Sequence, residues 1–180
     1  LGTIGHVPIE EYAFFIIQPL LTGLWLYRLL WSGSAHTSAL PSNRARIMGS
    51  ILFLALSVAG LVLLQFERSL YLALILVWSC PLLLIQWLYG GHHLWRMRKT
   101  WFWATAVPTV YLWIADRIAL HLGIWHISAE HTIGFTPLGL PIEEALFFAV
   151  TNLLVVQGLL LMLYTWRVPV VLRGRNAVSG

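Results

Sequence analysis

Apolar residues occupy this chain in long blocks separated by short polar intervals. Five blocks stand out, roughly 8–31, 46–64, 70–89, 100–122 and 141–166, each close to the ~20 residues that cross a bilayer core about 30 Å thick. The pattern predicts an all-α protein: a polytopic integral membrane helix bundle of five transmembrane helices, in a single membrane domain over 1–180. Residues 32–45 and 90–99 read as short loops. Residues 1–7 read as the tail of a loop, so a segment upstream of them is expected, and no cleavable signal peptide is visible.

Composition strengthens this picture. With 59% apolar residues, 10% charged residues and ten tryptophans in 180, the chain has too little polar surface to belong with soluble globular domains. Cys80 is the single cysteine and lies in the third predicted span, so no intramolecular disulfide can form.

Charge placement orients the bundle. If spans alternate, Arg28, Arg44, Arg46, Arg96, Arg98, Lys99, Arg167, Arg173 and Arg175 fall on one side, leaving only Arg68 and Arg117 on the other. The basic side is expected to be cytoplasmic, with the carboxyl terminus on it. The net charge of +4 then reflects topology and lipid headgroups, not nucleic acid. Every carboxylate (Glu10, Glu11, Glu67, Asp116, Glu130, Glu143 and Glu144) falls on the opposite, non-cytoplasmic side.

Two of those acid pairs belong to a repeated motif. "VPIEEYAFF" at 7–15 returns as "LPIEEALFF" at 140–148. An even number of spans separates the copies, so the repeat, centred on 8–31 and on 141–166, is expected to be parallel, the first and fifth helices running the same way. In each copy a proline opens a helix, where it is tolerated, and glutamates occupy the first turn, where the helix end favours a carboxylate. An ordinary helix start would look the same. The residues one and two turns beyond the glutamates are less ordinary. Positions three and four apart share a helix face, which sets Glu11 over Phe14 and Phe15 with Gln18 beyond, and Glu144 over Phe147 and Phe148 with Thr151 and Asn152 beyond. Polar groups have no use against lipid, so both stripes are expected to point into the bundle. Aromatic stripes also arise from simple packing.

Asp116 and Arg117 lie near the same end of the fourth span, with Trp113 one turn earlier. Ionisable residues within spans are functional candidates, although a structural Asp116–Arg117 or Asp116–His121 pair would look alike. His121, His126 and His131 recur every five residues, which places no ligand set on one helix face, and His92 and His93 lie on the basic side. No metal site is therefore expected. Lys99, the only lysine, sits in a basic loop, which excludes an intramembrane Schiff base, and no dinucleotide fingerprint is present.

Acids, aromatic faces and an apolar cavity suit proton-initiated closure of a polyene. Of two carboxyls at close range, one can hold a proton as general acid while the other serves as base. Aromatic rings stabilise the passing carbocation by about 2 kcal/mol when desolvated. The product is an isomer of the substrate, so no cofactor is called for. The candidate catalytic residues are Glu10, Glu11, Glu143, Glu144 and Asp116. The candidate substrate-binding residues are Tyr12, Phe14, Phe15, Gln18, Trp113, Arg117, Trp125, Phe147, Phe148, Thr151 and Asn152.

The stretches "PIEEYAFFIIQPLLTGLWL" and "DRIALHLGIWHISAEHTIGFTPLGLPIEEALFFAVTNLLVVQGLLL" resemble the membrane-embedded lycopene cyclases, which occur as two small subunits, as fused prokaryotic chains, and as the first domain of fungal lycopene cyclase/phytoene synthase proteins. The resemblance covers essentially the whole chain, with both Pro-x-Glu-Glu motifs in order around Asp116-Arg117 and Gly123-Ile124-Trp125. It implies closure of ionone end rings on lycopene or a related carotenoid by Glu10, Glu11, Glu143 and Glu144, a home in a prokaryotic plasma membrane, and contact with lipid and other carotenoid-pathway enzymes. It also implies a further helix before the first motif. Two other readings share the acids: a proton-coupled transporter, and a cofactorless cyclase of another prenyl substrate.

Overall fold

The computed structural model describes residues 3–4, 7–32, 42–124 and 131–166, with side chains from residue 12 onward. Five long helices carry the fold: α1 (Ile9–Trp31), α2 (Asn43–Leu63), α3 (Leu70–Arg96), α4 (Arg98–His121) and α5 (Ile142–Thr165). Ahead of α1, the two-residue strands β1 (Thr3–Ile4) and β2 (Val7–Pro8) pair antiparallel.

Four helices, α1, α2, α3 and α5, are long and apolar enough to cross a membrane. With 24 residues α4 has the length. It falls short in apolar character because Arg98, Lys99, Asp116 and Arg117 bound its apolar stretch, and Trp, Tyr and Thr replace aliphatic residues within it.

The expected loop over 90–99 is not a loop. α3 continues to Arg96 and only Met97 separates it from α4. Gly90 and Gly91, at the start of that expected loop, serve close approach. A Cβ on Gly90 would lie 2.3 Å from Leu161 Cδ2, and one on Gly91 would lie 2.9 Å from Trp87 Cε3 and 3.1 Å from the Arg46 Cα. Gly90 is non-helical (φ −143°, ψ 27°) and marks a kink. Leu94 and Met97, which a loop would expose, are buried.

Contacts fix the helix directions. Gly49 meets Trp87 and Gly60 meets Leu76, so α2 and α3 form an antiparallel hairpin. Tyr71 reaches Glu144 while Tyr89 reaches Thr165, so α3 runs parallel to α5. Phe14 meets Phe148 and Gly23 meets Leu159, so α1 also runs parallel to α5. Trp113 bonds to Ala145 and Thr109 to Asn152, so α4 runs antiparallel to it. α5 is therefore the central helix, packed on α1, α3 and α4, while α2 packs chiefly on α3.

This up-and-down order puts the first turns of α1, α3 and α5 and the last turn of α4 at one end. Glu67, Asp116, Glu143 and Glu144 lie there, and Arg28, Arg44, Arg46, Arg96, Arg98 and Lys99 lie at the other. The main apolar core, with Leu26, Leu30, Trp87, Leu94, Val156 and Leu160, occupies the basic half. In the acid half Ala73, Ile75, Leu76, Ala119 and Leu140 are buried beside the polar and aromatic groups.

Candidate active site

α5 opens at Pro141, whose carbonyl accepts the Ala145 N–H at 3.1 Å. Glu143 and Glu144 follow in the first turn. Successive residues on a helix point about 100° apart, so the two carboxyls enter different walls. Glu143 is 0% exposed. Its Oε1 accepts the Ile133 N–H at 2.7 Å, and its Oε2 has no hydrogen-bond partner among the described residues. The lid over it is the segment from Thr132 to Leu140, tied back by an Ile142 N–H to Phe135 carbonyl bond of 3.0 Å. Gly134 and Gly139, at φ 79° and 80°, give this segment the left-handed turns that side chains disfavour.

Glu144 faces α3 and is half-buried. Its Oε1 accepts the Tyr71 hydroxyl at 2.7 Å. Asp116 and Glu143 also lie within electrostatic range of that hydroxyl. Asp116 is buried in the last turns of α4. One turn before it, the Trp113 indole N–H donates to the Ala145 carbonyl at 2.9 Å, pinning α4 to the start of α5.

Below Glu144 runs a line of rings. Phe147 and Phe148 lie at 5.7 Å, Phe148 meets Phe14 of α1 at 5.7 Å, and Phe147 meets Trp78 of α3 at 6.3 Å, all edge to face. Among the described residues α1 and α5 pack directly, with no opening between them. The ring line has α5 as its floor, with α1 on one flank and α3 on the other. One turn deeper Asn152 closes the floor. Its Oδ1 accepts from the Gln18 amide and from the Thr22 hydroxyl at 2.6 Å, and its Nδ2 donates to Thr109 Oγ1 at 3.0 Å. All four residues are buried. An apolar groove of about 580 Å³ between α1 and α4, lined by Ile17, Leu21, Leu24, Val107 and Tyr111, ends at Arg28.

The structure thus brings together Asp116, Glu143, Glu144, Trp113, Phe14, Gln18, Phe147, Phe148 and Asn152. Other expected residues lie elsewhere. Phe15 is 56% exposed and Tyr12 44% exposed, both turned away from α5. The Thr151 hydroxyl donates to its own helix, to the Phe147 and Phe148 carbonyls at 2.8 and 3.1 Å. Arg117 is exposed, its Nε 3.7 Å from where a Cβ on Gly139 would sit. The Glu10 and Glu11 backbone lies in the first turn of α1, but their side chains, and all of Trp125, fall outside the described residues.

The chain is similar over 166 residues to the lycopene beta-cyclase of Halobacterium salinarum, at 43% identity, covering 92% of this chain and 68% of that protein. The chain belongs to the lycopene cyclase family of enzymes. It is also similar to the bifunctional lycopene cyclase/phytoene synthases of Neurospora crassa, at 38% identity over 167 residues, and of Aspergillus niger, at 36% over 162; each match covers 85% of this chain and 27% of the fungal protein. No family model matches the chain, and no solved structure matches it.

Within this lycopene cyclase framework, sequence reasoning missed Tyr71, Trp78, Thr22, Thr109 and the Ile133 amide. Tyr71 carried a findable signal: it follows Glu67 and Arg68 at the head of the third span, on the acid side. Thr22 lies one turn beyond Gln18 on the same face of α1. Nothing in the sequence marks a backbone amide as a carboxyl's partner.

Proposed function

We propose that this chain closes ionone-type end rings on lycopene or a closely related carotenoid. A carboxylic acid protonates the terminal double bond, the chain folds back so that an inner double bond attacks the resulting tertiary cation, and a carboxylate removes a proton from the new ring. One proton enters and one leaves, so the net change is an isomerisation. The observation that carries this reading is the pair of acids Glu143 and Glu144 heading a line of four rings, Phe148, Phe147, Phe14 and Trp78. Cation–π attraction at these rings stabilises the intermediate, and the dry, apolar surroundings keep water from trapping it. The relatives' printed names support the substrate class. Expression in lycopene-accumulating cells should convert red acyclic pigment to cyclic carotenoid, read by chromatography. Unchanged lycopene beside folded, membrane-inserted protein would overturn the reading.

In this reading all five helices span the membrane, α4 included, because its alternation with α3 and α5 leaves no other path. Glu10 and Glu11 on α1 complete the acid end as the first copy of a parallel repeat. Asp116 supports the acid pair, with Arg117 and Trp125 nearby in sequence. The segregation of acids from basic residues supports an acid end facing away from the cytoplasm. A cysteine at Leu138, which is 83% exposed at the acid end, should react with a membrane-impermeant maleimide in spheroplasts, after Cys80→Ser. One at Lys99 should react only after lysis. The reverse pattern would invert the topology.

A further inference from the structure

We infer that Tyr71 is a positioning residue for ring formation, its hydroxyl fixing Glu144 as the base that selects which proton leaves the cyclised cation. The inference rests on the cyclase reading above and concerns a residue outside both acid motifs.

A glutamate carboxyl sits on a stem of three rotatable bonds and sweeps several ångströms unless it is held. Tyr71 has only two torsions, and its own place is fixed locally. Ser69, two residues earlier, is buried and donates to the Leu63 and Phe66 carbonyls at 3.0 and 3.1 Å, locking the turn between α2 and α3. From that anchored turn the Tyr71 hydroxyl donates to Glu144 Oε1 at 2.7 Å. A donated bond to a carboxylate is short and strong because the acceptor is charged, so the geometry suits Glu144 in its proton-accepting form. Glu143 has a different setting. It is wholly shielded from water, one oxygen held by the Ile133 N–H and the other without a partner among the described residues. With Glu144 held as the base, Glu143 is the other carboxyl of the pair and is assigned the proton that starts the reaction.

The steps balance. The Glu143 O–H bond breaks and its proton forms a C–H bond at the substrate's terminal alkene. After closure, a C–H bond beside the cationic carbon breaks, its electron pair becomes the ring double bond, and its proton goes to Glu144. Transfer of that proton back to Glu143 restores the pair. Three kinds of C–H bond flank the cationic carbon: two sets in the ring and one on the attached methyl. Removal from each gives a different double-bond isomer of the ring, so a held carboxylate makes one isomer and a swinging one makes a mixture.

The test is Tyr71→Phe in the full chain, with kcat, KM and the ratio of ring isomers measured on lycopene in proteoliposomes. Expected are a fall in kcat of about tenfold, KM within about twofold, and minor ring isomers rising several-fold. Tyr71→His keeps a ring with an N–H donor and should recover the unmodified isomer ratio. Loss of folded protein lowers the yield of all isomers alike, so the ratio separates positioning from structural damage. Unmodified kcat and ratio in Tyr71→Phe, or equal losses in the Phe and His variants at unchanged ratio, would overturn the assignment. If Tyr71→Phe does not accumulate as monodisperse protein, Tyr71→His decides alone: the unmodified isomer ratio upholds the role, and a mixture removes it. An unmodified chain that makes no cyclic product sinks the cyclase reading itself, and this inference with it.

Discussion

Glu143→Gln is expected to leave a folded protein that forms ring at no more than about one hundredth of the normal rate. Gln has nearly the shape of Glu, and its amide oxygen can still accept the Ile133 N–H that now reaches Oε1 at 2.7 Å. What it lacks is a proton to give an alkene. The new NH₂ would occupy the place of Oε2, which already has no hydrogen-bond partner among the described residues, so the change removes no hydrogen bond and stability should stay within about 1 kcal/mol of the unmodified chain. Pigment chromatography on lycopene-accumulating cells, beside size-exclusion and thermal melting of the purified variant, separates the two effects. Ring yields equal to the unmodified chain would remove Glu143 from the chemistry and return it to the role of a helix-end carboxylate.

The largest stability effect is expected far from any acid. A Cβ on Gly49 would fall 2.0, 2.4 and 2.5 Å from Trp87 Cε3, Cζ3 and Cδ2. Trp87 cannot easily step aside, because its indole N–H donates to Gln157 Oε1 at 3.2 Å and its ring packs in the core beside Val156 and Leu160. Gly49→Ala should therefore cost about 3 kcal/mol, the upper part of the range for overpacking, by prying α2 from α3. Gly23→Ala, whose Cβ would meet only Leu159 Cδ1 at 3.4 Å, is the matched control and should be near neutral. Thermal unfolding in detergent checks both. A Gly49→Ala melting curve within about 2 °C of the unmodified one would show that this contact is not tight.

Much of this architecture was legible because lipid imposes a simple rule. Blocks of about 20 apolar residues become spanning helices, and four of the five predicted blocks match observed helices to within a few residues at each end. The exception, α3, overran its predicted end because Gly-Gly has two physical uses: it breaks helices exposed to water, and it admits neighbours in helices that are packed. Gly90 and Gly91 are of the second kind, and only the partners Leu161 and Trp87 reveal it. The acid end was legible too, since alternation of spans fixes the end of the bundle at which each charge falls. Rotation about the helix axis was not. Periodicity placed Phe14 and Phe15 on one stripe, yet Phe14 meets Phe148 while Phe15 faces outward, because α1 lies at the edge of the bundle and turns only a narrow face to α5. The equivalent stripe on central α5 is buried more fully. Partners supplied by other helices, such as Tyr71 for Glu144 and Thr109 for Asn152, depend on tertiary pairing that one-dimensional spacing does not encode.

The central place of α5 also has a consequence for the order of synthesis. The ribosome delivers α1 to α4 before α5, so Gln18, Thr22 and Thr109 are in place while their common partner, Asn152, is still unmade. The α2–α3 hairpin can close at once, with its glycine contacts entirely within the two helices. α1 and α4 instead carry hydroxyl and amide groups whose partner is still to come, which favours holding the two helices loosely against each other. When α5 arrives, a single asparagine satisfies all three groups and brings the two acids into place at the same time. α5 is thus the helix that ties together the helices made before it, and the carboxyls of Glu143 and Glu144 arrive with it.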